Sequence, residues 1–207
     1  AISTMGLNHA VITVVNRDDL ADSGASHYRK CLEAVRETSP EVTLELLCSD
    51  LAGDHQALHD LLNGLELEVF AHNVECVPRL DRKVRDHRAT FEQSIGILKE
   101  AKRLRPDILT KSSIMVGLGE TDDEITEALQ LLKDAGVDLV TIGQYLAPSP
   151  KHLPVDRFPE PSRYDEWSKQ IEDMGFLGWA CGPLVRSSYK AGELLAKAST
   201  RLRTEKE

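Results

Sequence analysis

An alternation of short β-branched runs with helical patterns constrains this chain more than any other feature of its sequence. Strands are predicted at His9–Val15, Val42–Leu47, Leu67–His72, Ile108–Val116, Asp138–Ile142 and Leu177–Cys181. Helical patterns fall between them, near Ala25–Thr38, His55–Leu62, Thr90–Leu104, Asp122–Ala135 and Ser162–Met174, and another covers Ala191–Ala198. Strand and helix in strict succession predict an α/β fold on a parallel sheet. Local signals agree. Thr121-Asp-Asp-Glu124 reads as a capping box, Gly136 stops the same helix, and Ser162 to Asp165 gives a similar start before Trp167. Phe91, Ile95, Leu98 and Ala101 share a helical face, as a helix packed outside a sheet requires. Ala1–Gly6 reads as the end of a helix stopped by Gly6, so the chain is expected to begin inside an element.

The 207 residues, 41% of them apolar and 29% charged, predict one domain over 1–207 with a single substantial core. No apolar run approaches a membrane span, and the start has no basic targeting pattern. Cys31, Cys48, Cys76 and Cys181 are too sparse for a stapled secreted domain, so a reducing, cytoplasmic setting is expected. The net charge of −9 argues against a nucleic-acid partner, whose phosphates call for a basic face. A local basic cluster does exist at Arg79, Arg82, Lys83, Arg85 and Arg88. It reads equally as a solvated loop or as a patch for an acidic carrier domain or a carboxylate. Between Leu146 and Pro161 five prolines break regular structure over a length that suits a functional loop.

Ligands of α/β sheets bind at the carboxyl ends of the strands, where successive loops converge. Asn16-Arg17-Asp18-Asp19 follows the first predicted strand, Asn73 and Glu75 the third, Gly117 to Glu120 the fourth, Gln144 and Tyr145 the fifth, and Arg186 to Tyr189 the last. Together they form one rim. Arg17 suits either a strand-end ion pair or a site, and Asn73 and Glu75 share a face if their strand continues, so as to grip a ribose or an amino group. Lys111, flanked by hydroxyls, is a candidate for a carboxylate or a solvated rim lysine. Gly117 and Gly119 also suit an ordinary tight turn. In Arg186-Ser187-Ser188-Tyr189 one serine can cap a helix and the other is free to bind a ligand. His55 and His59 have metal-ligand spacing, but Gln56 stands where a zinc protease needs its base, and no Gly-x-Ser-x-Gly elbow appears.

Three of these stretches, in order, resemble lipoyl synthase: Thr110-Lys-Ser-Ser-Ile-Met-Val-Gly-Leu-Gly-Glu120, Gly143-Gln-Tyr-Leu-Ala-Pro-Ser-Pro-Lys-His-Leu-Pro-Val155 and Gly182-Pro-Leu-Val-Arg-Ser-Ser-Tyr-Lys-Ala191. The likeness continues upstream through Ala71-His-Asn-Val-Glu-Cys-Val-Pro-Arg79 and Val11-Ile-Thr-Val-Val-Asn-Arg-Asp-Asp-Leu20, so that it covers nearly all of the chain. It implies the C-terminal two thirds of a radical S-adenosylmethionine enzyme: a partial (βα)6 TIM-like barrel lacking its first strand and cluster loop, and a chain truncated at its N-terminus. The implied reaction inserts two sulfur atoms into a protein-bound octanoyl group. S-adenosylmethionine and two [4Fe–4S] clusters are the implied cofactors, and the implied partner is an octanoylated lipoyl carrier domain, from a 2-oxoacid dehydrogenase or a glycine-cleavage H protein. By the same resemblance Asn73, Glu75, Lys111, Gly117, Glu120 and Gln144 would hold S-adenosylmethionine, and Arg17, Arg79, Tyr145 and Arg186 the substrate. Ser187 or Ser188 would complete the shell of the auxiliary cluster.

The family's two cysteine triplets, Cys-x3-Cys-x2-Cys and Cys-x4-Cys-x5-Cys, have no counterpart among these four scattered cysteines, so this chain alone is expected to be inactive. Ala71, Ala147, Ser149 and Cys48-Ser-Asp-Leu51 also depart from the family pattern. The alternatives are a cluster-free protein that binds a nucleoside or a lipoyl carrier domain, and a different radical enzyme on the same scaffold.

Overall fold

The computed structural model describes residues 1–204. Six strands, β1 (His9–Thr13), β2 (Thr43–Leu47), β3 (Val69–Ala71), β4 (Leu109–Val116), β5 (Leu139–Gln144) and β6 (Gly178–Gly182), lie side by side in chain order. Every neighbouring pair is parallel. Such pairing requires long crossovers, and helices provide them. These are α2 (Ala25–Thr38), α3 (His55–Leu62), α5 (Phe91–Leu104), α6 (Asp122–Asp134) and α7 (Pro161–Asp173), with a short α4 (Asp81–Val84) before α5. A one-turn α1 (Ile2–Met5) precedes β1 and ends on Gly6 at φ 60°, as the sequence predicts. The C-terminal helix α8 spans Ala191–Thr204.

Strand side chains alternate between faces, and the alternation divides the packing. Leu44, Leu46 and Phe70 join Tyr28, Leu32, Leu58, Leu61 and Ile97 in one cluster under α2, α3 and α5. Ile114, Val116, Val140 and Ile142 join Ile125, Leu129, Trp167 and Ile171 in another under α5, α6 and α7. On the opposite face Val69, Leu109 and Leu139 pack with Ala198 of α8. α8 also reaches β1: a Cβ added at Gly192 would come within 3.2 Å of His9 Cβ, so a side chain there would push the helix away.

Lys111 and Ser113 share the parity of Leu109 and so belong to the face that α8 covers. Lys111 is not on the rim. Its side chain is 1% exposed, and its ammonium donates to Glu45 Oε1 at 2.7 Å. The other oxygen, Glu45 Oε2, lies 3.8 Å from His9 Nε2. The sheet interior thus holds an ion pair that no local pattern announces.

Helix starts follow local chemistry where a cap is present. Thr121 and Glu124 form both halves of the predicted capping box, and Thr90 accepts from Gln93 N at the start of α5. α7 begins one residue before the predicted Ser162. Pro161 sits in its first turn and Glu160 at the cap makes no side-chain bond, because proline's fixed φ presets the helix without a hydroxyl. The third strand is shorter than predicted. It stops at Ala71, and pairing with β4 resumes only at Glu75, whose N–H donates to Ser113 O at 3.1 Å and whose carbonyl accepts from Met115 N at 2.8 Å. Asn73 and Glu75 are therefore brought together across a break in the strand rather than along one. Among the described residues no helix is long and apolar enough to cross a membrane.

Candidate functional site

The carboxyl ends of β3 to β6 enclose a cavity of about 310 Å3. Asn73 and Glu75 stand on one side of it, Ser113 and Met115 beneath, Gln144 and Tyr145 on another side, and Arg186 and Ser187 close it. Ser113 is fixed by the Thr141 hydroxyl, which donates to it at 2.8 Å. Five of the sequence candidates thus share a wall with Ser187, while Ser188 is exposed and does not line the cavity. Val185 explains the closure. Its carbonyl oxygen would lie 2.2 Å from a Cβ on Gly143, so only glycine there lets the segment after β6 fold over the end of β5.

Glu75 is the chemically poised group. It adopts φ 68°, a left-handed conformation that costs a non-glycine residue of order 1–3 kcal/mol and persists only where its surroundings hold it. Burial raises its carboxyl above the usual range, and a hydrogen bond from Asn73 and the nearby Arg85 charge only partly oppose this. A half-buried carboxyl beside an amide suits hydroxyl or ammonium donors.

The same two residues line a second, more polar cavity of about 250 Å3 with Asn16, Ser49, Asp50, His72 and Arg85. His72 is kept neutral by burial, which lowers its pKa. Its Nδ1 donates to the Cys48 carbonyl at 2.9 Å, and its Nε2 accepts from Ser94 Oγ at 2.8 Å, while Arg85 Nη2 donates to that hydroxyl at 2.8 Å. Arg85 Nη1 is buried without a hydrogen-bond partner among the described residues, 3.6 Å from Asp81 Oδ1. Sequence reasoning marked Ser49 and Asp50 only as part of a departure from the family pattern, with no site role, and passed over His72. The signal was available for the first two, since Cys48-Ser-Asp-Leu51 directly follows β2 at the ligand-binding end. His72 carried none.

The remaining candidates serve the protein's own loops. Glu120 accepts from Gly117 N and Leu118 N, both at 2.8 Å, and Gln144 donates to Tyr145 O at 3.0 Å and Arg157 O at 3.1 Å while its oxygen accepts from Tyr164. Gly117 sits at φ 95° where a Cβ would meet Gln144 Nε2 at 2.3 Å. Tyr145 donates to Leu153 O at 2.9 Å. Arg186 donates to the carbonyl of its own neighbour Val185 at 2.7 Å, and the same Nη1 lies 3.5 Å from Gln144 O at the end of β5. Arg17 pairs with Asp19 at 2.7 Å on the surface, outside both cavities. Arg79 pairs with Glu124 and donates to Gly119 O at 2.7 Å. Arg88 pairs with Asp18 and Asp86, so that among the described residues Arg82 and Lys83 are the cations of the predicted basic cluster outside any ion pair. A groove of about 540 Å3 between β6 and α8 holds none of the candidates, and its Arg201 is already stacked on Trp179 and bonded to Phe176 O and Glu172.

The cysteines do not fit an iron–sulfur cluster. Cys31 is exposed, Cys48 and Cys76 are buried and Cys181 is half-buried. Burial pushes the Cys48 and Cys76 thiols up to about 12 and Cys181 to about 11, the opposite of what a thiolate ligand needs. Among the described residues no three His, Cys, Asp or Glu side chains gather in a metal-binding group.

Among solved structures, methylornithine synthase superposes with a TM-score of 0.61 at 14% identity, over 82% of this chain and 49% of that one, which supports the fold alone. Among curated proteins, the lipoyl synthase of Halorhodospira halophila is 50% identical over 195 residues, 94% of this chain and 58% of its own. The mitochondrial lipoyl synthase of Bos taurus is 46% identical over 95% of this chain and 53% of its own, so the chain spans a little over half the length of these relatives. The radical SAM superfamily pattern matches residues 2–132, more than half of the chain. With a parallel sheet whose carboxyl ends line the candidate cavity, and with that match, the chain belongs to the radical SAM superfamily and is similar over nearly its whole length to lipoyl synthases.

Proposed function

We propose that this chain is the S-adenosylmethionine-binding and substrate-binding part of a lipoyl synthase, acting on an octanoyl group carried by a lipoyl carrier domain. The observation that carries the reading is the desolvated Glu75 carboxyl beside Asn73, facing a cavity closed by the Arg186–Ser187 segment. Asn73 and Glu75 would take the ribose hydroxyls or the amino group of S-adenosylmethionine, and Ser113 and Met115 would floor the site. Gly117, Glu120 and Gln144 would act indirectly, by fixing the loops that shape it, and Lys111 by fixing the sheet interior. Arg186 would bound the substrate side, and one of Ser187 and Ser188 would serve a cluster, with Ser187 already facing the cavity. Tyr145 would bound the substrate side. Arg17 and Arg79, each engaged by a carboxylate, would reach substrate only by exchanging that partner.

In a lipoyl synthase, bound S-adenosylmethionine with a reduced cluster supplies the hydrogen-abstracting chemistry. The residues described here lack a ligand set for that cluster, so no step is derived through it. Their part is to orient the ligand and exclude water. A chimera tests the assignment: this chain replaces the matching region of a lipoyl synthase, and lipoyl formation on an octanoylated carrier domain is scored by mass. The reading expects product, and its loss with Glu75→Gln. A folded, cluster-loaded chimera that makes none contradicts it, and would favour the second reading, binding without redox chemistry, which the dispersed cysteines support.

A further inference from the structure

A third cavity, about 480 Å3, opens beside the candidate site and shares Met115, Tyr145 and Pro148 with it. One wall comes from α4, through Lys83 and Val84, and the other from the proline-rich loop, through Lys151, His152 and Leu153. Its lining is mostly apolar, its cationic side chains lie at exposed positions, and among the described residues no acidic side chain lines it. That combination runs against the rest of the molecule, whose net charge is −9. Neighbouring guanidiniums are neutralised within the chain: Arg79 by Glu124, Arg88 by Asp18 and Asp86, while Arg85 lies beside Asp81. Lys83 and Lys151 have no such partner among the described residues. Two free ammonium groups at the edge of an apolar pocket suit a ligand that is acidic outside and apolar at its tip.

We propose that this rim is the docking surface for the acidic face of an acylated carrier domain, whose acyl chain enters along Val84 and Leu153 toward Met115 and the candidate site. The proposal rests on the reading of the chain as part of a lipoyl synthase and adds where the carrier binds. Complementary charge at an exposed rim acts mainly through association rate and is screened by salt, whereas the apolar pocket contributes by burial. Charge and acylation therefore have separable signatures.

The test titrates the 207-residue chain with an acidic carrier domain, octanoylated or unmodified, at low and at raised salt. For the wild-type chain the proposal expects saturable binding that weakens with salt and is several-fold tighter for the octanoylated form. Lys83→Glu/Lys151→Glu should weaken binding of both forms by about tenfold or more at low salt and flatten the salt dependence. Lys30→Glu/Lys197→Glu makes the same change in net charge on α2 and α8, and should leave the difference between the two forms intact and affinity within about twofold. Unchanged binding by the Lys83/Lys151 variant, with normal binding by wild type, overturns the docking surface and leaves the functional reading standing. Failure of the wild-type chain to bind either form overturns the docking surface and the carrier assignment together. Circular dichroism of each variant checks that a loss is not unfolding, and if the charge reversal unfolds the chain, Lys83→Gln/Lys151→Gln makes the same comparison.

Discussion

Replacing Lys111 with methionine separates a structural lysine from a ligand-binding one. Both Lys111 and Glu45 are 1% exposed and 2.7 Å apart, so Lys111→Met would leave a buried carboxylate with only His9, at 3.8 Å, beside it. Breaking a buried pair from one side costs about 3–5 kcal/mol, because the remaining charge is stranded in a low-dielectric interior. That is a large part of the roughly 5–15 kcal/mol by which such domains are stable. An exposed rim lysine would cost under about 1 kcal/mol. Urea unfolding followed by tryptophan fluorescence reads the difference, since Trp167 is fully buried in the core under α6 and α7. With a slope near 2 kcal/mol per molar, the midpoint should fall by roughly 2 M. The double variant Glu45→Leu/Lys111→Met removes both charges and should recover most of the loss, giving a coupling of about 2–4 kcal/mol. A loss below about 1 kcal/mol in the single variant, or strictly additive losses in the double, would refute the buried-pair argument.

Two further outcomes follow from the rim. Gly117→Ala should cost about 3 kcal/mol or more, since φ is 95° and the new Cβ would lie 2.5 Å from the Arg157 carbonyl oxygen, whereas Gly119→Ala, at φ 100° with nothing nearer than 3.7 Å, should cost only about 1–2; equal losses in thermal unfolding would contradict this. Glu75 has a folded-state pKa raised by burial, so the stability its protonation contributes is fully present below the unfolded value of about 4.3 and is lost as pH rises through the higher folded value. Glu75→Gln does not titrate and should therefore gain stability relative to wild type as pH rises toward neutrality. Parallel stability profiles for the two proteins would show that the carboxyl is not desolvated.

The fold was legible because its signals are local and repeated. Each of the six predicted strand runs became a strand, and Thr121 with Glu124 fixed a helix start through bonds only three residues long. Ser162 misled because a proline can preset a helix without a capping hydroxyl. The candidate cavity was legible to the extent that topology places strand ends together, which gathered Asn73, Glu75, Gln144, Tyr145, Arg186 and Ser187 around it. What sequence could not supply was partners at long range. Lys111 read as a rim residue because Glu45 lies 66 positions away, and the basic cluster after Glu75 read as free charge because Glu124 and Asp18 come from other elements. Glu75 reached its position through a backbone turn that no residue pattern marks, since a non-glycine residue at positive φ is held there by tertiary contacts.

The central claim, that the carboxyl ends of β3 to β6 form an S-adenosylmethionine site centred on Glu75, is tested most directly by titrating the chain with S-adenosylmethionine in a calorimeter, beside Glu75→Gln. The account predicts saturable one-to-one binding that weakens about tenfold or more in the variant, as loss of a carboxyl acceptor in a largely buried site requires. Absence of binding to the folded chain, or equal affinity in the two proteins, would contradict it.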